Sequence, residues 1–282
     1  MQESICQLED EWFFFRHTGL DENKPVVLFI HGLGESGLCF NEAFQVSSLQ
    51  SYTLVVPDLI GYGCSSRARN GDYALETQVR RLWRLVDYLK VESFYIVGHS
   101  LGGDLGCLMA AADPERRIKG FVNIEGDLTP HDVFISSRAV AAAERGDFAG
   151  WFETDFKEEL VLKSWGGKWA SCRRYYASLQ FCRPEAFLAN AREIVLKNQP
   201  LPGRSESRMG MTYAGLKVPK VYCWGSESLA EGTLDFLEAA SLHHKKFEPA
   251  FHWPMIDRAE EFYSFLSHFL RSAQDSPGKA LK

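Results

Sequence analysis

Ser100 stands between glycines in Gly98-His99-Ser100-Leu101-Gly102, directly after the apolar run Phe94-Tyr95-Ile96-Val97. A Gly-x-Ser-x-Gly pattern at a strand end puts the serine on a sharp, strained strand-to-helix turn that lifts its hydroxyl clear of a sheet. The flanking glycines suit that turn because a neighbouring Cβ would collide with it. A serine hydroxyl is a weak nucleophile at neutral pH and needs a base to take its proton. Imidazole can accept a proton and return it, since its unperturbed pKa is about 6.5. The chain holds eight histidines. His31 and His99 belong to strand-end motifs, where packing or the orientation of a turn is the simple role. His17, His131, His243, His244 and His268 have no motif context and read as surface or helix residues. His252 lies in a loop before the last helix, within Phe251-His252-Trp253-Pro254-Met255.

The elements that must position these groups alternate. Trp12–Phe15 reads as an early strand, and Val26–Ile30 as a strand covered on both faces that stops at His31-Gly32-Leu33-Gly34. Tyr52–Val56 is the next strand, followed by Asp58 and the turn Gly61-Tyr62-Gly63. Leu75, Val79, Leu82, Trp83, Val86 and Leu89 recur at helical spacing, and the cluster Arg80, Arg81 and Arg84 is expected on that helix's solvated face. Beyond the serine, Gly103–Ala112 reads as a helix that ends before Asp113-Pro114. Lys119–Ile124 is a further strand, closed by Glu125-Gly126. The alternation predicts a largely parallel sheet flanked by helices. It stops over residues 127–215, a helix-prone stretch rich in aromatics, and resumes at Val218–Gly225. A helix from about Thr233, a short strand at Lys245–Phe247 and a last helix through Phe262–Leu270 follow. Residues 272–282 read as a mobile polar tail.

Composition narrows the function. With 282 residues the chain can bury a large core, and its 45% hydrophobic and 24% charged content is that of a soluble globular protein. A net charge of −6 argues against nucleic acid as a partner. The seven cysteines are scattered and form no C-x-x-C pair, which fits free thiols in a reducing compartment. No basic, apolar leader opens the chain, and no run approaches the roughly 18–20 apolar residues a membrane crossing needs. A cytoplasmic protein, monomer or homodimer, acting on a small molecule is expected. No metal or organic cofactor is implied, because H-E-x-x-H, a P-loop and a complete dinucleotide fingerprint are all missing.

Four motifs together resemble the α/β-hydrolase superfamily: His31-Gly32-Leu33-Gly34, Asp58–Ser65, the Ser100 elbow and His252 with its neighbours. The likeness covers roughly Trp12–Glu125 and Val218–Arg271. It implies the α/β-hydrolase fold, with a core over 1–126 and 216–271 and a helical cap inserted at 127–215. It implies that Ser100 is the nucleophile and His252 the base, and that backbone N–H groups of Leu33 and Leu101 form the oxyanion hole. The acid departs from the commonest pattern. Many relatives carry aspartate three residues after the glycine that corresponds to Gly225, but Ser228 stands there. Glu227 is one residue short of that place. Glu125, at the alternative acid position of some members, is preferred, since an unpaired carboxylate closing a buried apolar run would cost several kcal/mol. Asp58 is expected to brace the site, and Asp104 to lie on a helix surface.

The chemistry implied is acyl transfer to water on an ester-like bond of a partly apolar substrate. Serine at the elbow disfavours the dehalogenase and epoxide hydrolase branches, which use a carboxylate nucleophile. Thioesters, carbon–carbon bond hydrolysis and lyase chemistry stay open on the same groups. So does a non-catalytic ligand receptor, because a fold alone does not set function.

Overall fold

In the computed structural model, which describes residues 1–21, 23–202 and 206–275, the apolar runs become the strands of one eight-stranded sheet. In chain order the elements are β1 (Gln2–Leu8), β2 (Glu11–His17), β3 (Val26–Ile30), β4 (Thr53–Pro57), α1 (Leu75–Tyr88), β5 (Phe94–His99), α2 (Leu101–Ala111) and β6 (Ile118–Ile124). Next come α3 (Phe134–Glu144), the single turn α4 (Phe148–Gly150), a π-helical segment (Trp151–Trp165), α5 (Ala170–Leu179), α6 (Pro184–Lys197) and α7 (Arg208–Gly215). The chain closes with β7 (Lys220–Gly225), α8 (Glu231–Ala239), β8 (His244–Phe247), α9 (Pro254–Asp257) and α10 (Ala259–Asp275).

The strand order is β1-β2-β4-β3-β5-β6-β7-β8. β1 and β2 form an antiparallel pair, β2 lies antiparallel to β4, and all remaining neighbours are parallel. This is the α/β-hydrolase fold expected from the motifs. Because the parallel strands are covered on both faces, Val27, Phe29, Ile30, Val56, Ile96, Val97 and Val122 are all buried. β5, which carries Gly98 and His99, runs through the middle of the sheet between β3 and β6. Its C-terminal end therefore opens between the ends of its two neighbours, where the residues after β3 and β6 can reach it.

Three details differ from the sequence expectations. β1 was not anticipated, because Gln2–Leu8 is an edge strand with only Cys6 buried and so lacks an apolar run. Arg81 does not lie on a solvated face: it is buried and makes a two-pronged ion pair with Glu11 (Nε–Oε2 2.6 Å), tying α1 to β2. The last helix extends through Ser272 to Asp275, and residues 276–282 of the expected tail lie outside the described residues.

The long segment between β6 and β7 divides in space. α3 packs against α6, and the π-helical segment against α5. α7 instead packs on α2 of the sheet layer, with Tyr213 edge-on to Phe121 at 5.9 Å. Ser207 caps α7 by accepting from the Gly210 N–H, and its hydroxyl donates to the Leu128 carbonyl. Hence the return to the core begins before Gly215.

Candidate active site

Ser100 has φ 51° and ψ −121°, the left-handed conformation of a residue held between strand and helix. Close backbone contacts enforce it. A Cβ on Gly98 would lie 2.2 Å from the Gly102 carbonyl oxygen, and one on Gly102 would lie 2.0 Å from the Ile30 oxygen. The Ser100 N–H donates to the Ile124 carbonyl at 2.8 Å, so β6 holds the elbow from the other side. Leu101 begins α2, and its N–H belongs to the first turn, whose donors have no partner within the helix. Leu33 lies in the turn after β3 and, with Ser100, lines one cavity.

His252 lines the same cavity, brought there by the loop between β8 and α9. Its Nδ1 donates to Glu125 Oε2 at 2.7 Å. A carboxylate can only accept, so Nδ1 carries the proton and Nε2 keeps its lone pair. Glu125 follows the end of β6 with φ 47°, and only 5% of its side chain is exposed. Its other oxygen accepts from the Gly225 N–H at 2.7 Å and the Ser228 hydroxyl at 2.6 Å. Ser228, which cannot itself be the acid, thus orients the residue beside the imidazole. Burial works against a charged His252, but the Glu125 carboxylate and its hydrogen bond outweigh this, aided by Glu35 and Asp127. The imidazole is raised above its ordinary 6.5. Glu227 is not brought to the cavity: it accepts from the neighbouring Ser226 hydroxyl at 3.1 Å on an exposed loop.

Behind this arrangement lies a buried group that sequence reasoning missed. Glu35 accepts from the Gly32 N–H at 2.7 Å, from the Trp253 indole, and from His99 Nδ1 at 2.8 Å. The other nitrogen of His99 lies 2.9 Å from the His252 carbonyl oxygen. Burial opposes a charged Glu35, yet the His99 imidazole and the two ring N–H donors hold it down to about 2. The turn after β3, the elbow and the His252 loop are therefore joined through one carboxylate. The only signal in the sequence was the placement of Glu35 just after His31-Gly32-Leu33-Gly34.

His31 accepts from the Leu59 N–H at 2.9 Å, an orienting role between two turns. Asp58 braces its own turn, accepting from Gly37 N–H, Cys64 N–H and Arg16. Two expectations fail. Asp104 is 1% exposed and accepts from the Asp127 N–H at 2.9 Å, because α2 packs its first turn against the chain leaving β6. His17 is buried in β2 rather than on the surface or in a helix, its imidazole 3.0 Å from the Ser4 hydroxyl of the paired strand β1, whereas His131 is exposed as expected and stands at the edge of the cavity.

The cavity is about 190 Å³ in volume. Its floor is Ser100, Glu125 and His252. Its upper wall comes from the segment between β6 and β7: Phe134, Ile135, Trp165, Tyr175 and Ile194. The Tyr175 hydroxyl donates to the Leu33 carbonyl at 2.8 Å, joining α5 to the turn after β3. Most aromatics of the segment serve packing, as in the parallel pair Trp151–Phe156 at 5.1 Å and the edge contact Phe152–Phe187 at 5.0 Å. Trp165 is held by Phe251 at 5.4 Å, next to His252.

Among the described residues no cluster of three or more metal-ligating side chains occurs, and no helix is long and apolar enough to cross a membrane. The seven cysteines form no disulfide, and only Cys64 is exposed.

Residues 25–164 match the family described as having the alpha/beta hydrolase fold. The 30 kDa subunit of magnesium-chelatase from Rhodobacter capsulatus is 36% identical over 96 residues, 34% of each chain. The chain thus aligns with about a third of the length of that curated relative. Among solved structures, the N-acyl homoserine lactonase AidH complexed with N-butanoyl homoserine superposes with a TM-score of 0.77 at 18% identity, covering 99% of this chain and 100% of that one. A structure from a study of carboxylesterases of Nitrososphaera gargenis gives 0.74 at 16% identity, covering 96% and 99%. At such identities these two likenesses establish the fold.

Proposed function

This chain belongs to the α/β-hydrolase superfamily, and from that premise we propose that it is a serine hydrolase that cleaves an ester bond of a small, partly apolar substrate. The observation that carries the reading is the pairing at the cavity floor. A serine forced into a left-handed elbow shares the cavity with an imidazole whose proton is committed to a buried glutamate.

In this reading His252 Nε2 takes the Ser100 proton as Oγ attacks the carbonyl carbon. Glu125 holds the tautomer and stabilises the imidazolium that forms, while Ser228 and the Gly225 N–H hold Glu125. The Leu33 and Leu101 N–H groups receive the developing oxyanion, the latter helped by the positive end of α2. His252 then passes its proton to the leaving oxygen. Water, deprotonated by the same imidazole, cleaves the acyl-serine and restores the hydroxyl. The helices between β6 and β7 act as the lid, excluding water and receiving the apolar part of the substrate. Cleavage of esters is in keeping with the carboxylesterase and lactonase among the structural neighbours.

A fluorophosphonate probe tests this directly. Ser100 is expected to be labelled at neutral pH and His252→Ala to abolish labelling. Ser100→Ala should lose about 10⁴-fold or more in kcat on short-chain esters while keeping its fold. Unchanged turnover by Ser100→Ala would end the proposal.

A further inference from the structure

The cavity lining holds four acids and no permanent cation. Glu35, Glu125, Asp127 and Asp132 line it beside His99, His131 and His252, and no lysine or arginine does so among the described residues. Three of the four, Glu35, Glu125 and Asp132, are held by hydrogen bonds from the protein. Glu125 serves His252, Ser228 and Gly225, while Glu35 serves Gly32, His99 and Trp253. Asp132 Oδ2 accepts from the Leu128 and Thr129 N–H groups, both at 2.9 Å, and Oδ1 from the Thr233 hydroxyl. The Asp127 N–H donates to the buried Asp104 carboxyl at 2.9 Å. Much of the remaining lining offers carbon: Phe134, Ile135, Trp165, Ile194, Leu229 and Phe251.

We propose that this cavity selects its ester by charge, accepting an uncharged acyl or alkyl portion and rejecting one that carries a carboxylate. The inference rests on the hydrolase reading above and adds the substrate class. Burying an anion without a cationic partner costs several kcal/mol, and nearby carboxylates of like sign add to that cost. Such a wall is a repulsive element against the wrong ligand rather than an attractive one for the right one. Burial raises Asp104 and pushes Asp127 up to about 8, so Asp127 is held protonated at neutral pH and the repulsion falls to the other acids of the wall. The carboxylate product of ester cleavage meets the same acidic walls, which favours its departure.

Two esters of nearly equal length decide the matter: 4-nitrophenyl butanoate, ending in methyl, and 4-nitrophenyl hemisuccinate, ending in carboxylate. The expected result at neutral pH is a kcat/KM at least about 100-fold lower for the hemisuccinate. The same order is expected in Kd on Ser100→Ala, read by tryptophan fluorescence, where no chemistry occurs. Leu229→Arg, which adds a cation to the wall, should shrink the gap at least tenfold, with fluorophosphonate labelling reporting that the site is intact. Rates and Kd values within threefold of each other for the two esters would overturn the charge selection. Loss of labelling and turnover in the wild type would instead strike the hydrolase reading, and the binding ratio on Ser100→Ala would still decide the inference.

Discussion

Two regions meet at the cavity, the C-terminal ends of β3, β5, β6 and β7 below and the helices between β6 and β7 above. In the lower region the Ser100 elbow is held by main-chain contacts too close for one extra carbon, at Gly98 and Gly102. In the upper region Trp151, Phe152, Phe156 and Phe187 hold one another by ring packing. The first kind of holding depends on backbone geometry and tolerates almost nothing. The second depends on volume and apolar character, and tolerates exchange of similar side chains. On the proposed function, chemistry would rest on the rigid part, and the shape of the substrate would be left to the part that can vary.

The harshest way to break the lower region is Gly102→Ala. Its Cβ would meet the Ile30 oxygen at 2.0 Å, and neither partner can retreat, since both are backbone. An expected cost of about 3 kcal/mol corresponds to a fall in Tm of roughly 6–12 °C, checked by thermal unfolding. Activity should be lost along with the elbow.

Glu125→Gln keeps the shape and removes the charge. It is expected to lower kcat by roughly 10²–10⁴-fold, while Glu227→Gln leaves kcat unchanged. Steady-state kinetics of both variants on one ester separates the two acids, and the opposite ranking would reassign the role to Glu227.

The pH profile sharpens the same point. A base must be neutral to accept a proton, and His252 is raised above 6.5, so activity should rise with pH along an acid limb centred above that value. Glu125→Gln removes the largest raising influence and leaves burial, which lowers the imidazole. Its acid limb should therefore move toward lower pH, as read from kcat/KM against pH.

The smallest effect is expected where the two regions touch. Tyr175→Phe removes the donor to the Leu33 carbonyl and leaves a buried acceptor without it, a cost of about 1–2 kcal/mol. A three- to tenfold loss in kcat with KM nearly unchanged would mark Tyr175 as a positioning residue for the turn after β3. A change confined to KM would mean that it only shapes the cavity.

Much of the architecture was legible in the chain because its signals are local. Val26–Ile30 and Phe94–Val97 are uniformly apolar, and glycines bracket Ser100, so neighbours within a few residues specify strand and turn. The edge strand β1 escaped notice for the opposite reason: with one side open to solvent it needs no apolar run. Arg81 and Asp104 were misplaced because their partners, Glu11 and the Asp127 N–H, lie far away along the chain.

The sequence by itself determined that a serine would stand on a kinked turn beside a glycine-rich turn, since tight backbone contact is encoded by residues next to one another. It left two glutamates in competition and said nothing of Glu35 joining three loops. Only the tertiary structure brought Glu125, rather than Glu227, to 2.7 Å from His252, with Ser228 turned toward it. A hydrogen bond between residues more than a hundred positions apart depends on how strands are ordered in a sheet, and no local pattern carries that order.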